Sequence, residues 1–144
     1  MSGGVRRTGR AYALQLLYAR DGDASADVAG AASAWADAFE LELDADALAF
    51  ARSLAESATE HAARIDELVA GASKNWRIER MSRVDRNILR LGTCELLASL
   101  DVPVKVAINE AVELAKKFGT AESSAFVNGV LDRVAAALGR RPES

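Results

Sequence analysis

Few side chains in this chain can do covalent or acid–base chemistry. His61 is the single histidine and Cys94 the single cysteine among 144 residues. No histidine pair can hold a metal, and no acid–histidine–nucleophile triad can be assembled. Cys94 lies within a helical pattern, with no CxxC, and reads as a core thiol rather than a nucleophile. His61 reads as ordinary surface on the flank of a long helix. No glycine belongs to a G-x-G-x-x-G or P-loop pattern, and no strand is available to precede one. Glu110 and Glu113 alternate with Lys116 and Lys117 at helical spacing, which suits surface ion pairing better than paired-carboxylate catalysis. The expectation is a protein that is not an enzyme and uses no cofactor and no metal.

The cationic side chains carry more pattern. Residues 1–20 hold Arg6, Arg7, Arg10 and Arg20 and no acid, residues 21–70 hold twelve acids against Arg52 and Arg64, and residues 71–144 hold twelve bases against nine acids. The chain's net charge of −3 therefore hides segregation, with a basic segment on either side of an acidic one, and segregation matters more than the total for a polyanionic partner. A solvated helix surface accounts for the same charges equally well. At about 100° per residue, Arg6, Arg7 and Arg10 share one sector with Leu14 and Leu17. Three arginines cannot be buried unpaired on a core face, so the start of this helix is expected to project beyond the core and offer guanidinium groups suited to phosphates and bases. A second series runs through Lys74, Arg77, Arg80, Arg83, Arg86 and Arg90. Its last three members share one side of a helix, available either to a ligand or to the acidic segment 21–70. Asn128-Gly129 is a poor choice for a helix interior, costing up to ~1 kcal/mol at Gly relative to Ala. Close packing against another helix or a ligand on Asn128 would account for it.

Helical periodicity places these residues. Val104, Ile108, Ala111, Ala115 and Phe118 recur at helical spacing over 103–118, between Pro103 and Gly119, which suit the first helical position and the position just past the end. Residues 46–70 carry one continuous stripe through Leu48, Ala51, Ala55, Ala58, Ala62, Ile65 and Val69; its alanines let a neighbouring helix approach closely. Ser82 with Asp85 resembles a capping box opening a helix through about Leu97. A final helix covers 121–138, ended by Gly139. The N-terminal third predicts helices over 6–19 and 25–39, and a short helical turn is expected around Arg77–Met81. No alternating strand pattern appears, so the fold class is all-α, about six to seven helices in two packed helical subdomains. The expected organisation is one domain over 1–144, with an N-terminal helical half at about 5–70 and a C-terminal half at about 74–139. No run of ~20 apolar residues could span a membrane, no apolar signal segment follows the first arginines, and a lone cysteine fits a reducing compartment. A cytoplasmic protein is expected.

Several stretches resemble one family. Asn75-Trp76-Arg77-Ile78-Glu79-Arg80-Met81-Ser82, with Val84-Asp85-Arg86-Asn87-Ile88-Leu89-Arg90 after it, is similar to the central signature of NusB proteins. The stretch from Asp101 to Gly119, containing Ala107-Ile108-Asn109-Glu110-Ala111-Val112-Glu113-Leu114-Ala115-Lys116-Lys117-Phe118, resembles that family's most distinctive segment. Phe126-Val127-Asn128-Gly129-Val130-Leu131-Asp132 completes it, and Arg6–Tyr18 resembles its arginine-rich start. Residues 21–60 diverge, and Thr8 and Gly9 interrupt a start that is more continuously basic elsewhere in the family.

The resemblance implies a transcription antitermination factor that binds the boxA element of nascent ribosomal RNA transcripts jointly with NusE, a small-subunit ribosomal protein, within the RNA polymerase antitermination complex. The helical sector of Arg6, Arg7 and Arg10 points to RNA contact there, and Lys116, Lys117, Phe126 and Asn128, at the end of one helix and early in the next, are expected to extend that surface; Tyr18 and Asp85 match positions that face the protein partner in the family. A core role for Tyr18 and Phe126, a cap role for Asp85, and a helix-dipole role for the two lysines remain alternatives. NusB-like helical domains also begin some ribosomal RNA cytosine methyltransferases, and that reading would make this sequence a fragment. A protein-binding helical adaptor is a third possibility.

Overall fold

The computed structural model describes residues 3–22, Gly30, 44–74 and 76–140. The helix expected over 25–39, with Trp35 and Phe39, lies almost wholly outside them. Described helices are α1 (Gly3–Arg20), α2 (Ala45–Glu60), α3 (Ala62–Ala72), α4 (Arg83–Ala98), α5 (Val104–Phe118) and α6 (Ser123–Ala137), with a 3₁₀ turn at Ile78–Arg80 between α3 and α4. Among the described residues there is no strand, and the chain is all-α. It groups into two compact units, Met1–Glu56 and Ser57–Ser144.

In the first unit, α1 meets α2 at a glycine. A Cβ on Gly9 would stand 2.8 Å from Phe50 Cδ2 and 3.0 Å from the Ala47 carbonyl oxygen, so no larger residue permits this approach. Asp44 starts α2, its Oδ1 accepting from the N–H groups of Asp46 and Ala47 at 2.9 and 3.1 Å, the usual work of an aspartate at a helix start. Ala47, Ala51, Leu54 and Ala55 of α2 are buried, as are Tyr12, Ala13, Leu14 and Leu16 of α1.

The stripe over 46–70 does not form one helix. It breaks at His61, whose backbone sits at φ −102°, ψ 15°, while its Nδ1 lies 2.9 Å from the Ser57 carbonyl oxygen. His61 is thus a junction residue rather than a bystander on a helix flank. Periodicity alone missed the break because Ala58 and Ile65 keep the same buried phase on either side of it. Beyond the break, α3 packs on α4 and α6, inside the second unit, through Ile65, Leu68, Val69 and Ala72.

In that second unit, α4, α5 and α6 pack on one another through Ile88, Leu91, Leu96, Ile108, Ala111, Ala115, Val127, Leu131 and Val134, all buried. Gly92 sits where the three cross: a Cβ there would lie 2.7 Å from Leu131 Cδ1 and 3.3 Å from Ala111 Cβ. Ser82 caps α4 as expected, its Oγ accepting from Asp85 N at 3.0 Å. Pro103 occupies the N-cap of α5, one position before the first turn it was expected to open. Gly139, at φ 72°, ends α6 in the left-handed region open to glycine. Arg140 follows it, donating to the carbonyls of Leu96 at 2.8 Å and Val102 at 2.9 Å, which ties the end of α6 to the α4–α5 connection.

Candidate RNA- and protein-binding surfaces

The arginines of α1 divide. Arg7 is exposed and Arg6 half-buried, whereas Arg10 is only 4% exposed. The sector argument, which kept all three out of the core, fails for Arg10 for two reasons. From Gly9 to Leu14 every residue of α1 is buried, so the helix has no single core face to compare against. Phe50 also supplies a partner: the Arg6 and Arg10 guanidinium carbons lie 5.7 and 5.6 Å from its ring centroid. Cation–π attraction of this kind strengthens as the cation loses water, and a buried arginine stem adds apolar packing. Gly9 lets Phe50 come this close to α1. Tyr18, near the other end of α1, is 37% exposed.

Lys116 and Lys117 are exposed in the last turn of α5, where they complement the negative helix end. Lys116 Nζ lies 3.6 Å from Glu113 Oε1, an exposed pair of the kind expected from the spacing and worth little to stability. Lys117 Nζ stands 5.5 Å from the Phe118 ring centroid. Phe126 is half-buried and Asn128 exposed, both on α6. Two residues apart on a helix, they point in directions roughly 160° apart, so a single base cannot rest on both side chains. Among the described residues, only the tip of Arg133, 3.6 Å away, comes near the missing Cβ of Gly129. Close helix packing among the described residues therefore does not account for Asn128-Gly129.

Phe126 belongs to a different place. Together with Trp76 and Met81 it forms the apolar part of a cavity of about 380 Å³. Arg80, Ser82, Asp85 and Glu122 supply its polar wall. Three segments build it: the approach to α4, the first turn of α4, and the start of α6. Trp76 is 56% exposed, and Glu122 Oε2 accepts from Thr120 Oγ1 at 3.2 Å. The Asp85 backbone N–H is taken by Ser82, yet its carboxylate Oδ1 is buried with no hydrogen-bond partner among the described residues. The structure thus puts a residue expected on the RNA surface, Phe126, beside one expected to face a protein, Asp85. Sequence reasoning missed Trp76 as a functional candidate; its unusual exposure has no signature in the sequence.

The second basic series also divides. Arg90 reaches back to the acidic segment, with Nε 3.0 Å from Asp66 Oδ1 and Nη2 3.3 Å from Oδ2, a two-pronged pairing that fixes α3 on α4. Lys74, Arg77 and Arg80 are exposed. Of the two roles the sequence left open, Arg90 takes the internal one.

Cys94 is buried in α4. Burial raises its thiol pKa above the ordinary 9.0, the nearby Glu95 charge acts in the same direction, and a hydrogen bond with Ser57 works against both. A thiol held neutral in this way is a packing group. Among the described residues no cluster of histidine, cysteine or acidic side chains could hold a metal, and no helix is long and apolar enough to cross a membrane.

Fold and surfaces together define an all-helical protein with arginines on α1 and an aromatic, acid-lined cavity at the start of α4. The chain belongs to the NusB family, whose model matches residues 7–136. It is 54% identical over 138 residues to the transcription antitermination protein NusB of Myxococcus xanthus, covering 95% of this chain and 99% of that one. Among solved structures it is similar to T. maritima NusB, at 37% identity and a TM-score of 0.77, covering 91% of this chain and 90% of the other. It is likewise similar to a chain in the crystal structure of the antitermination factors NusB and NusE in complex with double-stranded RNA, at 27% identity and a TM-score of 0.76, covering 94% and 99%.

Proposed function

We propose that this chain is a transcription antitermination factor that binds the boxA element of nascent ribosomal RNA transcripts together with NusE, in the cytoplasm and without catalysis. The observation that carries the reading is near-full-length similarity to an antitermination NusB at 54% identity. The likeness to a chain in the NusB–NusE–RNA structure supports both partners. Arg7, exposed at the start of α1, and Arg6 beside it are the side chains best placed to meet phosphate there. Arg10 acts by holding Phe50 and the helix start in place. Lys116, Lys117 and Asn128 offer further exposed contacts to RNA. Tyr18 and Asp85 face the protein partner.

The test is RNA affinity at moderate salt, for boxA against a scrambled sequence, with and without NusE. Tighter binding of boxA than of the scrambled RNA, and a further gain on adding NusE, is the expected result. Equal affinity for the two RNAs would overturn the boxA assignment, and no gain with NusE would overturn joint binding.

A further inference from the structure

Gly129 lies in the middle of α6, where glycine destabilises a helix relative to alanine. Packing does not require it. A Cβ added there would meet, among the described residues, nothing nearer than Arg133 Nη1 at 3.6 Å and Nη2 at 3.9 Å, an ordinary van der Waals contact. What the missing Cβ keeps clear is the space beside that guanidinium. Arg133, one turn further along α6, is exposed but not loose. Its Nε donates to the carbonyl of Ala72 at 2.6 Å, at the end of α3, where carbonyls lack helical partners. The chain leaving α3 is itself held by the buried Ser73, whose Oγ lies 2.7 Å from the Val69 carbonyl oxygen and 3.1 Å from that of Trp76. Among the described residues Nη1 and Nη2 have no hydrogen-bond partner. Two nitrogens of a tethered guanidinium are thus left for a ligand, and a side chain already ordered by the fold loses little entropy on binding one. Lys74, two residues past Ala72, is exposed and likewise without a partner among the described residues. The acid next to Arg133 on α6, Asp132, projects about 100° round the helix from it.

We infer that the tethered Arg133 fork, beside the notch at Gly129, holds one phosphodiester of the bound RNA, with Lys74 adding positive charge. The inference rests on the proposed reading that this chain binds RNA, and it carries the contact surface past Asn128 to the end of α3. Planar guanidinium donors match two phosphate oxygens at once. A phosphodiester carries a ribose on either side and needs an approach free of side chains, which glycine provides. A carboxylate at the tip of a protein side chain needs no such clearance. Asn128, already offered to RNA, precedes the notch directly, and Arg133 stands ~7.5 Å further along the helix axis from it.

The test titrates the full chain with boxA RNA and with a scrambled RNA at several salt concentrations, beside Arg133→Gln, Arg133→Lys and Gly129→Ala, with melting followed for each. Arg133→Gln should weaken binding about tenfold and reduce the slope of log K against log salt by ~0.7, the value for one phosphate contact on a single strand. Arg133→Lys keeps the charge, so it should restore the slope while recovering only part of the affinity. Gly129→Ala separates site from scaffold because its two effects have opposite signs. Its melting temperature should rise by about 2–4 °C as the helix gains alanine, while RNA affinity falls severalfold. A wild-type slope in Arg133→Gln, or full RNA affinity in a stabilised Gly129→Ala, would overturn the inference. Weaker NusE binding by Arg133→Gln with RNA binding untouched would also overturn it, making the fork a carboxylate site. Inorganic phosphate that shifts the Arg133 Nε–H resonance, with RNA affinity unchanged in every variant, would reduce it to a small-anion site. A wild-type chain that binds boxA no better than the scrambled RNA would sink the boxA reading alone, since the slopes judge the fork with either RNA. A chain that binds neither would sink both.

Discussion

The start of α1 and the start of α4 both combine aromatic rings with charge, in opposite senses. At α1 the chain supplies its own cations: Arg6 and Arg10 lie over Phe50, and Arg7 stands outward beside them. At α4 the rings of Trp76 and Phe126 share their cavity with an excess of carboxylate. The first region is complete in itself and projects positive charge, which attracts a polyanion at long range. The second is incomplete, with a buried acceptor unsatisfied, and suits a partner that brings charge to it. Under the proposed function, the two regions suit partners of opposite charge.

The comparison breaks most visibly if the scaffold under it is disturbed. Gly92→Ala would press a methyl group onto Leu131 and Ala111, and overpacking of this kind costs ~1–3 kcal/mol. Thermal unfolding should show a clear drop in melting temperature with RNA affinity of the folded protein retained; an unchanged melting temperature would mean that the crossing of α4, α5 and α6 is looser than the structure has it.

Within α1, single substitutions should separate the arginines. Arg10→Ala removes a buried stem and its contact with Phe50, and should lower stability by about 1–2 kcal/mol. Arg7→Ala should leave melting unchanged while weakening RNA binding and reducing the slope of log K against log salt by ~0.7, the value for one phosphate contact on a single strand. If Arg7→Ala and Arg10→Ala behaved alike in both assays, the division of labour on this helix would be wrong.

Much of the fold was legible in the sequence. The strong periodicity of 103–118 and 121–138, and the Ser82 cap, place α4, α5 and α6 within a few residues of their observed ends, because each helix there buries one dominant stripe. The N-terminal unit was less legible. Arg10 is buried because Phe50, forty residues away, comes to it across Gly9, and no local pattern announces such a contact. The break at His61 was hidden because alanine continues the stripe through a junction that contains neither proline nor glycine. The cavity was illegible for a similar reason. Trp76, Asp85 and Phe126 come from three segments, and only the fold brings them together.

Two smaller effects sharpen the account of the scaffold. Arg90→Ala removes a pairing with Asp66 whose side chains are 25% and 42% exposed. Screening by solvent limits the loss to about 1 kcal/mol, and it should shrink further in high salt. Cys94 has a folded-state pKa above its ordinary 9.0, so the unfolded chain ionises first as pH rises. Its stabilising contribution is therefore full below about pH 9 and is lost above it. A Cys94→Ala variant should show a flatter fall in stability between neutral and strongly alkaline pH, and the wild-type thiol should react with a thiol reagent only as fast as the helix opens.

The contrast between the two regions is tested most directly by one ternary-binding experiment. Arg7→Ala and Trp76→Ala are made singly and together, and each is titrated with boxA RNA alone, with NusE alone and with both. The account expects Arg7→Ala to lose affinity for RNA alone, Trp76→Ala to lose affinity for NusE alone, and the two losses to add in the double variant, as they do for separate sites. Loss of RNA affinity in Trp76→Ala comparable to that in Arg7→Ala, with NusE binding intact, would contradict it and place the cavity on the RNA surface instead.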